Sequence, residues 1–321
     1  MNITTRAKPV LITTARETGF SLLLLLGISF TVFLILYWAP GDPFSILLGQ
    51  ESGSSSDLDF LDESATESSR NWLGLYFDWV WNVLQGDLGT SIRTGIPVTQ
   101  QIASVGINTL VLTLGAILLT LVIAVPIAVW SSLRTHGFIT QTLNIAGYIV
   151  SALPVFWLGY IIIYISSKHF NYFPIYMGFG TGSLDTTQIM LPILVLGLGS
   201  GIIAETIRFM RFELGHVLAE EYIRTARAKG SSIWKHAYKE GLLLPITEIV
   251  ATRIPFVISG AIIVEQIFNW PGLGRMAWQA AQDRDFPVIM GITLVATLLV
   301  RLGTLCQRFI YIYVNPRASH E

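Results

Sequence analysis

Six stretches of this chain are about 20 residues long or longer and largely apolar, the length a helix needs to cross the hydrocarbon core of a bilayer. They run Gly19–Ala39, Gly106–Trp130, Thr142–Ser166, Ile189–Met210, Leu242–Phe268 and Val288–Val314. Their continuous apolar character, without strand-like alternation, predicts helices. The fold class expected is therefore all-α, a polytopic membrane protein with six transmembrane helices. The first run resembles the apolar part of a signal peptide but is too long for one. No small-x-small cleavage site precedes Pro40-Gly41-Asp42-Pro43, so it reads as a retained anchor.

Composition agrees. The chain is 52% hydrophobic and 13% charged, with mean hydropathy +0.59, whereas soluble domains average about 25% charged residues. The formal net charge is −1 and no basic tract is present, so nucleic acid is not an expected partner. The single cysteine, Cys306, excludes an intramolecular disulfide and a multi-cysteine metal site.

Lys and Arg flanking the six segments set the orientation. With the N-terminus inside, the cytoplasmic side carries Arg6, Lys8, Arg16, Arg134, Arg208, Arg211, Arg224, Arg227, Lys229, Lys235, Lys239, Arg308 and Arg317. The outer side carries Arg70, Arg93, Lys168, Arg275 and Arg284. That asymmetry places both termini in the cytoplasm. The chain then divides into a cytoplasmic segment 1–18, helix one at 19–39, a long outer segment 40–105, a permeation core 106–314 and a cytoplasmic tail 315–321.

The outer segment changes character along its length. From Glu51 to Ser69 it is acidic and serine-rich, the composition of a flexible loop. Tyr76, Trp79, Val80, Val83 and Leu84 then fall at i, i+3, i+4, i+7 and i+8, one face of a short helix. With Trp81 nearby, that helix suits either the outer membrane boundary or packing on the protein itself. Gly86-Asp-Leu-Gly-Thr-Ser marks a turn. In the third helix Pro154 predicts a kink, which serves either a pathway or a structural bend. Gly197 and Gly201 in the fourth have the spacing that lets helix backbones approach closely.

No soluble-enzyme or nucleotide chemistry is written here. There is no G-x-x-x-x-G-K-[ST] phosphate loop and no H-E-x-x-H, so neither ATP hydrolysis nor zinc proteolysis is expected of this chain. The five histidines are scattered, and neither a metal nor a cofactor is expected.

The densest charge lies between helices four and five, from Arg211 to Gly241. It is too polar to span, yet it reads as helix. Ala226 and Gly230, four residues apart, would share a helical face, with Arg224, Arg227 and Lys229 around it. Small residues on such a face suit close docking against another protein; an ordinary positive-inside loop is the alternative.

Glu221-Tyr-Ile-Arg-Thr-Ala-Arg-Ala-Lys-Gly230 resembles the cytoplasmic coupling loop of ABC importer permeases, in its dipeptide/oligopeptide/nickel variant. The resemblance extends along nearly the whole chain. Pro40-Gly-Asp-Pro43, Gly86-Asp-Leu-Gly-Thr-Ser-Ile-Arg-Thr-Gly95, Leu153-Pro-Val-Phe-Trp157, Glu265 with Asn269-Trp-Pro-Gly-Leu-Gly-Arg275, and Asn315-Pro-Arg317 are similar to segments of that family in the same order. From Gly230 to Pro245 the chain is shorter than the family pattern by about one helical turn, which places the exit into helix five in doubt. The serine-rich outer insert also departs from the pattern.

The resemblance implies a permease subunit of an ATP-driven importer in the bacterial inner membrane, forming half of a pathway for peptides. Nickel or another small solute, or an ion-driven secondary transporter, are the alternatives. The implied partners are a second permease, two cytoplasmic ATPases and a periplasmic or lipid-anchored binding protein. Coupling to the ATPases would fall to Arg224, Thr225, Ala226, Arg227 and Gly230. Charges inside a membrane cost at least ~2.5–3.5 kcal/mol, so Arg253, Glu265 and Arg301 are expected either to pair structurally or to line a polar pathway. Pro154 and Trp157 complete the candidate pathway.

Overall fold

The computed structural model describes residues 3–38, 72–133, 138–172, 174–175 and 186–314. Among them the secondary structure is helical, with one isolated antiparallel bridge between Thr90 and Pro97. The helices are α1 (Ile3–Tyr37), α2 (Trp72–Leu84), α3 (Val98–Leu133), α4 (Phe138–Ser151), α5 (Val155–Phe170), α6 (Thr186–Leu198), α7 (Ile202–Ala219), α8 (Glu221–Ala228), α9 (Ile233–Tyr238), α10 (Leu244–Ile267), α11 (Leu273–Asp283) and α12 (Phe286–Val314). The serine-rich insert, Pro40–Pro43, Gly178–Gly182 and Asn315–Arg317 lie outside the described residues.

Three single helices among the described residues are long and apolar enough to cross a membrane: Arg16–Tyr37, Val98–Leu133 and Phe286–Ile310. A fourth crossing forms if the bent pair 188–198 and 202–219 counts as one span. Two of the expected unbroken helices are thus divided. The third divides at 152–154, where Pro154 has ψ 141° and stands just before α5 rather than kinking a continuous helix. Proline lacks an N–H and disfavours helical backbone before it, so it begins a helix more readily than it continues one. The fourth bends by 54° at a 3₁₀ turn, Gly199–Gly201, where Gly201 takes φ 71°. Gly197 still meets α3 closely: its carbonyl accepts the Thr120 hydroxyl at 3.2 Å. Gly201 serves the break instead, so the two glycines do not act as a matched pair.

Two compact units are distinguishable, and each is described by itself. The larger comprises residues 1–10, 107–275 and 300–321. Its core joins Leu112 and Ala116 of α3, Val155 of α5, Val195 and Leu196 of α6, and Ala261 and Val264 of α10. Phe268 and Trp270 close that core just past α10. A second cluster packs Ala124 and Ala128 of α3 against Ile207 and Met210 of α7 and Ile249 of α10.

The other unit comprises residues 11–106 and 276–299. In it Tyr76 of α2 packs edge-on against Phe30, with ring centroids 5.1 Å apart, and also meets Phe33 of α1. Its hydroxyl shares a hydrogen bond with Ser29 Oγ at 2.9 Å and donates to the Leu26 carbonyl at 3.1 Å. Of the residues that the periodicity marks, Tyr76, Trp79, Val80 and Val83 are buried or partly buried, and Leu84 is exposed. In the same unit, buried Asp285 accepts hydrogen bonds from the Ser91 hydroxyl and from the backbone N–H groups of Ile92 and Arg93. Arg93 forms an ion pair with Asp283. These contacts fix the turn that the Gly86–Gly95 segment predicts.

Candidate functional site

Three local structures carry the residues singled out by the sequence: the charged segment after α7, the turn after α10, and the exposed start of α5. All belong to the larger unit.

The first nine residues past the expected end of helix four do not leave it; α7 continues to Ala219. Glu220 then takes extended backbone and α8 begins at Glu221. Ile223 is fully buried and Ala226 is 6% exposed, so these two seat α8 on its own chain. Arg224, Thr225, Arg227 and Ala228 are exposed. Past the last helical turn, Gly230 has φ 68°. Its N–H donates to the Arg227 carbonyl at 3.1 Å and the Ser231 N–H to the Ala226 carbonyl at 3.0 Å. This bond pair closes a helix on a left-handed residue, the place where glycine is strongly preferred. The expectation that Ala226 and Gly230 share one outward helical face is corrected on both counts. Ala226 faces inward, and Gly230 is no longer helical. The small residue that α8 presents outward is Ala228.

Beyond α9 the helix widens into a π turn, Lys239–Leu243, in which the Leu244 N–H bonds the Lys239 carbonyl. Buried Gly241 sits in the turn, and a Cβ there would meet Leu214 Cδ1 of α7 at 2.8 Å. The Tyr222 hydroxyl donates to Glu240 Oε2 at 2.7 Å, tying α8 to the π turn. Desolvation, then the hydrogen bond and negative charge of Glu240, push the Tyr222 phenol up to about 12, so it remains the donor at any physiological pH.

Glu265, near the end of α10, is fully buried. Oε1 accepts the Thr109 hydroxyl at 2.7 Å and Oε2 accepts the Arg275 N–H at 2.9 Å. Thr109 Oγ1 in turn accepts the Leu273 N–H at 2.7 Å. The first N–H groups of a helix have no partner within it. Here two of those of α11 are met by side chains from α3 and α10, and a carboxylate also suits the positive end of the helix. Around this centre Asn108 Nδ2 donates to the Pro271 carbonyl at 2.7 Å and Trp270 Nε1 to the Asn108 carbonyl at 3.2 Å. Arg275 reaches back to the Asn269 carbonyl at 2.8 Å. Gly272 and Gly274 lie so close that a Cβ on either would collide with Glu265 or α10.

The other pathway candidates are dispersed. Trp157 is 48% exposed, near the start of α5 behind exposed Pro154. A half-exposed ring and a fully buried carboxylate do not line one surface. Arg301 is partly buried on α12, and Arg253 lies on α10 with its side chain outside what the structure describes. On α7 the Arg208 guanidinium stands over the Tyr148 ring, 5.6 Å from its centre. Among the described residues no group of His, Cys, Asp or Glu is placed to hold a metal ion. Sequence reasoning missed Asn108, Thr109, Tyr222 and Glu240. Each is an ordinary polar residue whose partner is distant along the chain.

Comparison with known proteins places this geometry. The family described as binding-protein-dependent transport system inner membrane component matches residues 124–320. The oligopeptide transport system permease protein AppB of Bacillus subtilis strain 168 is 35% identical over 320 residues, covering 95% of this chain and 98% of its own. The dipeptide transport system permease protein DppB of Escherichia coli K12 is 31% identical over 340 residues, with the same coverage of 95% and 98%. The glutathione transport system permease protein GsiC of Pectobacterium atrosepticum is 33% identical over 311 residues, covering 92% and 95%.

Proposed function

The chain belongs to the family of binding-protein-dependent transport system inner membrane components, and on that premise we propose how it works as the permease subunit of a peptide importer. It is a multi-pass protein of the inner membrane, in the peptide branch of ABC permeases. The observation that carries the reading is end-to-end likeness to peptide permeases, joined to a short exposed basic helix, α8, seated on α7 and α9 and hydrogen-bonded to the π turn. Six crossings, with the divided segments 138–170 and 186–219 each counted as one, leave both termini in the cytoplasm. The permease forms half of the pathway with a second permease. It takes peptide from a binding protein at its outer segment and leaves ATP hydrolysis to two cytoplasmic ATPases. Reporter fusions at Ser55 and at Lys235 test the topology: they are expected on opposite sides of the membrane, and the same side for both would overturn it.

Coupling runs through α8. Its outward residues Arg224, Thr225, Arg227 and Ala228 enter the ATPase groove, while Ile223 and Ala226 hold the helix to the rest of the permease. Gly230 sets the direction in which the chain leaves. Left-handed backbone costs other residues about 1–2 kcal/mol, with asparagine the best tolerated. Gly230→Leu is therefore expected to lower both ATPase co-purification and substrate-stimulated ATP hydrolysis in liposomes, with the permease still folded. Gly230→Asn should keep most of both. Wild-type association and hydrolysis in Gly230→Leu would reduce α8 to a positive-inside loop.

A further inference from the structure

Helix α2 has three chemically distinct sides, and only one of them is explained by the packing described above. At 100° per residue, Trp72, Tyr76, Trp79 and Val83 form the side turned to α1; all are buried or partly buried. Asp78 and Asn82 form a second, exposed and polar side. The third is Leu73, Phe77, Trp81 and Leu84, spaced i, i+4, i+8 and i+11. These are 43%, 63%, 65% and 73% exposed. A helix at a water-facing protein surface does not leave four large apolar side chains bare along one side. A helix lying at a membrane boundary does.

The depth of α2 supports the same occupant. Its anchor, Tyr76, packs on Phe30 and Phe33 and bonds the Leu26 carbonyl. Leu26 lies at the middle of the apolar crossing Arg16–Tyr37, and Phe30 and Phe33 lie in its second half. On that crossing Leu22, Leu23, Leu26 and Ile35 are themselves 47–70% exposed, as apolar side chains on a lipid-facing helix are. With 13 residues, at 1.5 Å each, α2 is too short to span the roughly 30 Å hydrocarbon core. Aromatic residues such as Phe77 and Trp81 favour the zone just below the headgroups, where tryptophan is enriched.

We propose that α2 is an interfacial helix embedded in the outer leaflet, with Leu73, Phe77, Trp81 and Leu84 in contact with lipid acyl chains and Asp78 and Asn82 toward water. The proposal rests on α1 crossing the membrane and not on the coupling role of α8.

The test uses the assembled transporter in lipid nanodiscs. The native cysteine is removed (Cys306→Ala), and nitroxide labels are attached at Phe77→Cys, Trp81→Cys, Asp78→Cys and Asn82→Cys in turn. Labels at 77 and 81 are expected to be relaxed by oxygen, which concentrates in lipid. Labels at 78 and 82 should be relaxed by a water-soluble nickel chelate, with the oxygen-to-nickel ratio several-fold higher at the first pair. Strong nickel accessibility at 77 and 81 would place that side in water and overturn the proposal. Protection of both from either reagent would mean a protein covers the stripe, the second permease or the binding protein, and would overturn it equally. Transport by each labelled variant confirms that its fold is intact.

Discussion

Glu265→Ala is expected to destabilise the purified permease by about 2–6 kcal/mol, because it leaves two buried donors without partners at about 1–3 kcal/mol each. The donors are the Thr109 hydroxyl and the Arg275 N–H. The loss of volume adds a cavity to that cost. The measurement is the unfolding midpoint in detergent, alongside the fraction that remains monodisperse. Glu265→Gln should fall between wild type and alanine: its carbonyl oxygen still serves one donor, while its amide opposes the other. Transport is lost in Glu265→Ala because the turn from Phe268 to Arg275 is no longer held. A Glu265→Ala protein as stable as wild type but inactive would assign the carboxylate to the pathway instead.

Gly274→Ala is expected to be at least as damaging as a typical overpacked core position, about 1–3 kcal/mol or more. Its Cβ would meet the Cα and Cγ1 of Ile262, both at 2.6 Å, so the backbone of α10 must shift. Gly272→Ala fails for a different reason, since its Cβ would strike the Glu265 carboxyl group. The two are separable by combination. In a Glu265→Ala background the obstacle to Gly272→Ala is gone, and that double variant should be no less stable than Glu265→Ala alone. Most of the Gly274→Ala cost should persist there, since the two 2.6 Å contacts are with Ile262 and only the 3.0 Å contact is with Glu265. Non-additivity of this kind identifies residues that share one contact. Additive losses at Gly272 would show that its space is limited by something other than Glu265.

Much of the architecture was legible because the dominant signal, apolar length, is local. The segments at 106–130, 242–268 and 288–314, and the described part of 19–39, correspond to helix, 189–210 to two helices joined by a bend, and α2 answers the Tyr76–Leu84 periodicity. Where reading failed, one residue admitted two local outcomes. Proline both bends and starts helices, and at Pro154 the extended ψ decides for a start. Two of the three sides of α2 are apolar, so periodicity located a helix without saying which of them meets protein. Gly230 was read for its missing side chain, whereas its positive φ is the reason a glycine stands there. The Glu265 centre was half visible. A carboxylate in an apolar run demands partners, but Thr109 is 156 residues away, and no local pattern points to it. What the exposed residues of α8 touch lies beyond a single chain altogether.

The π turn at Lys239–Leu243 makes α10 mechanically asymmetric. A turn closed by an i to i+5 bond holds one residue in surplus over the α register. Passing that residue along the helix rotates everything beyond it by about 100° while the chain ends stay where they are. At its other end, α10 is keyed through Glu265 to Thr109 and to the first turn of α11, and rotation there breaks buried hydrogen bonds. One end of the helix thus carries a surplus residue and the other is pinned by buried hydrogen bonds. On the coupling role proposed above, Tyr222 and Glu240 connect α8 to the end of α10 that carries the surplus residue.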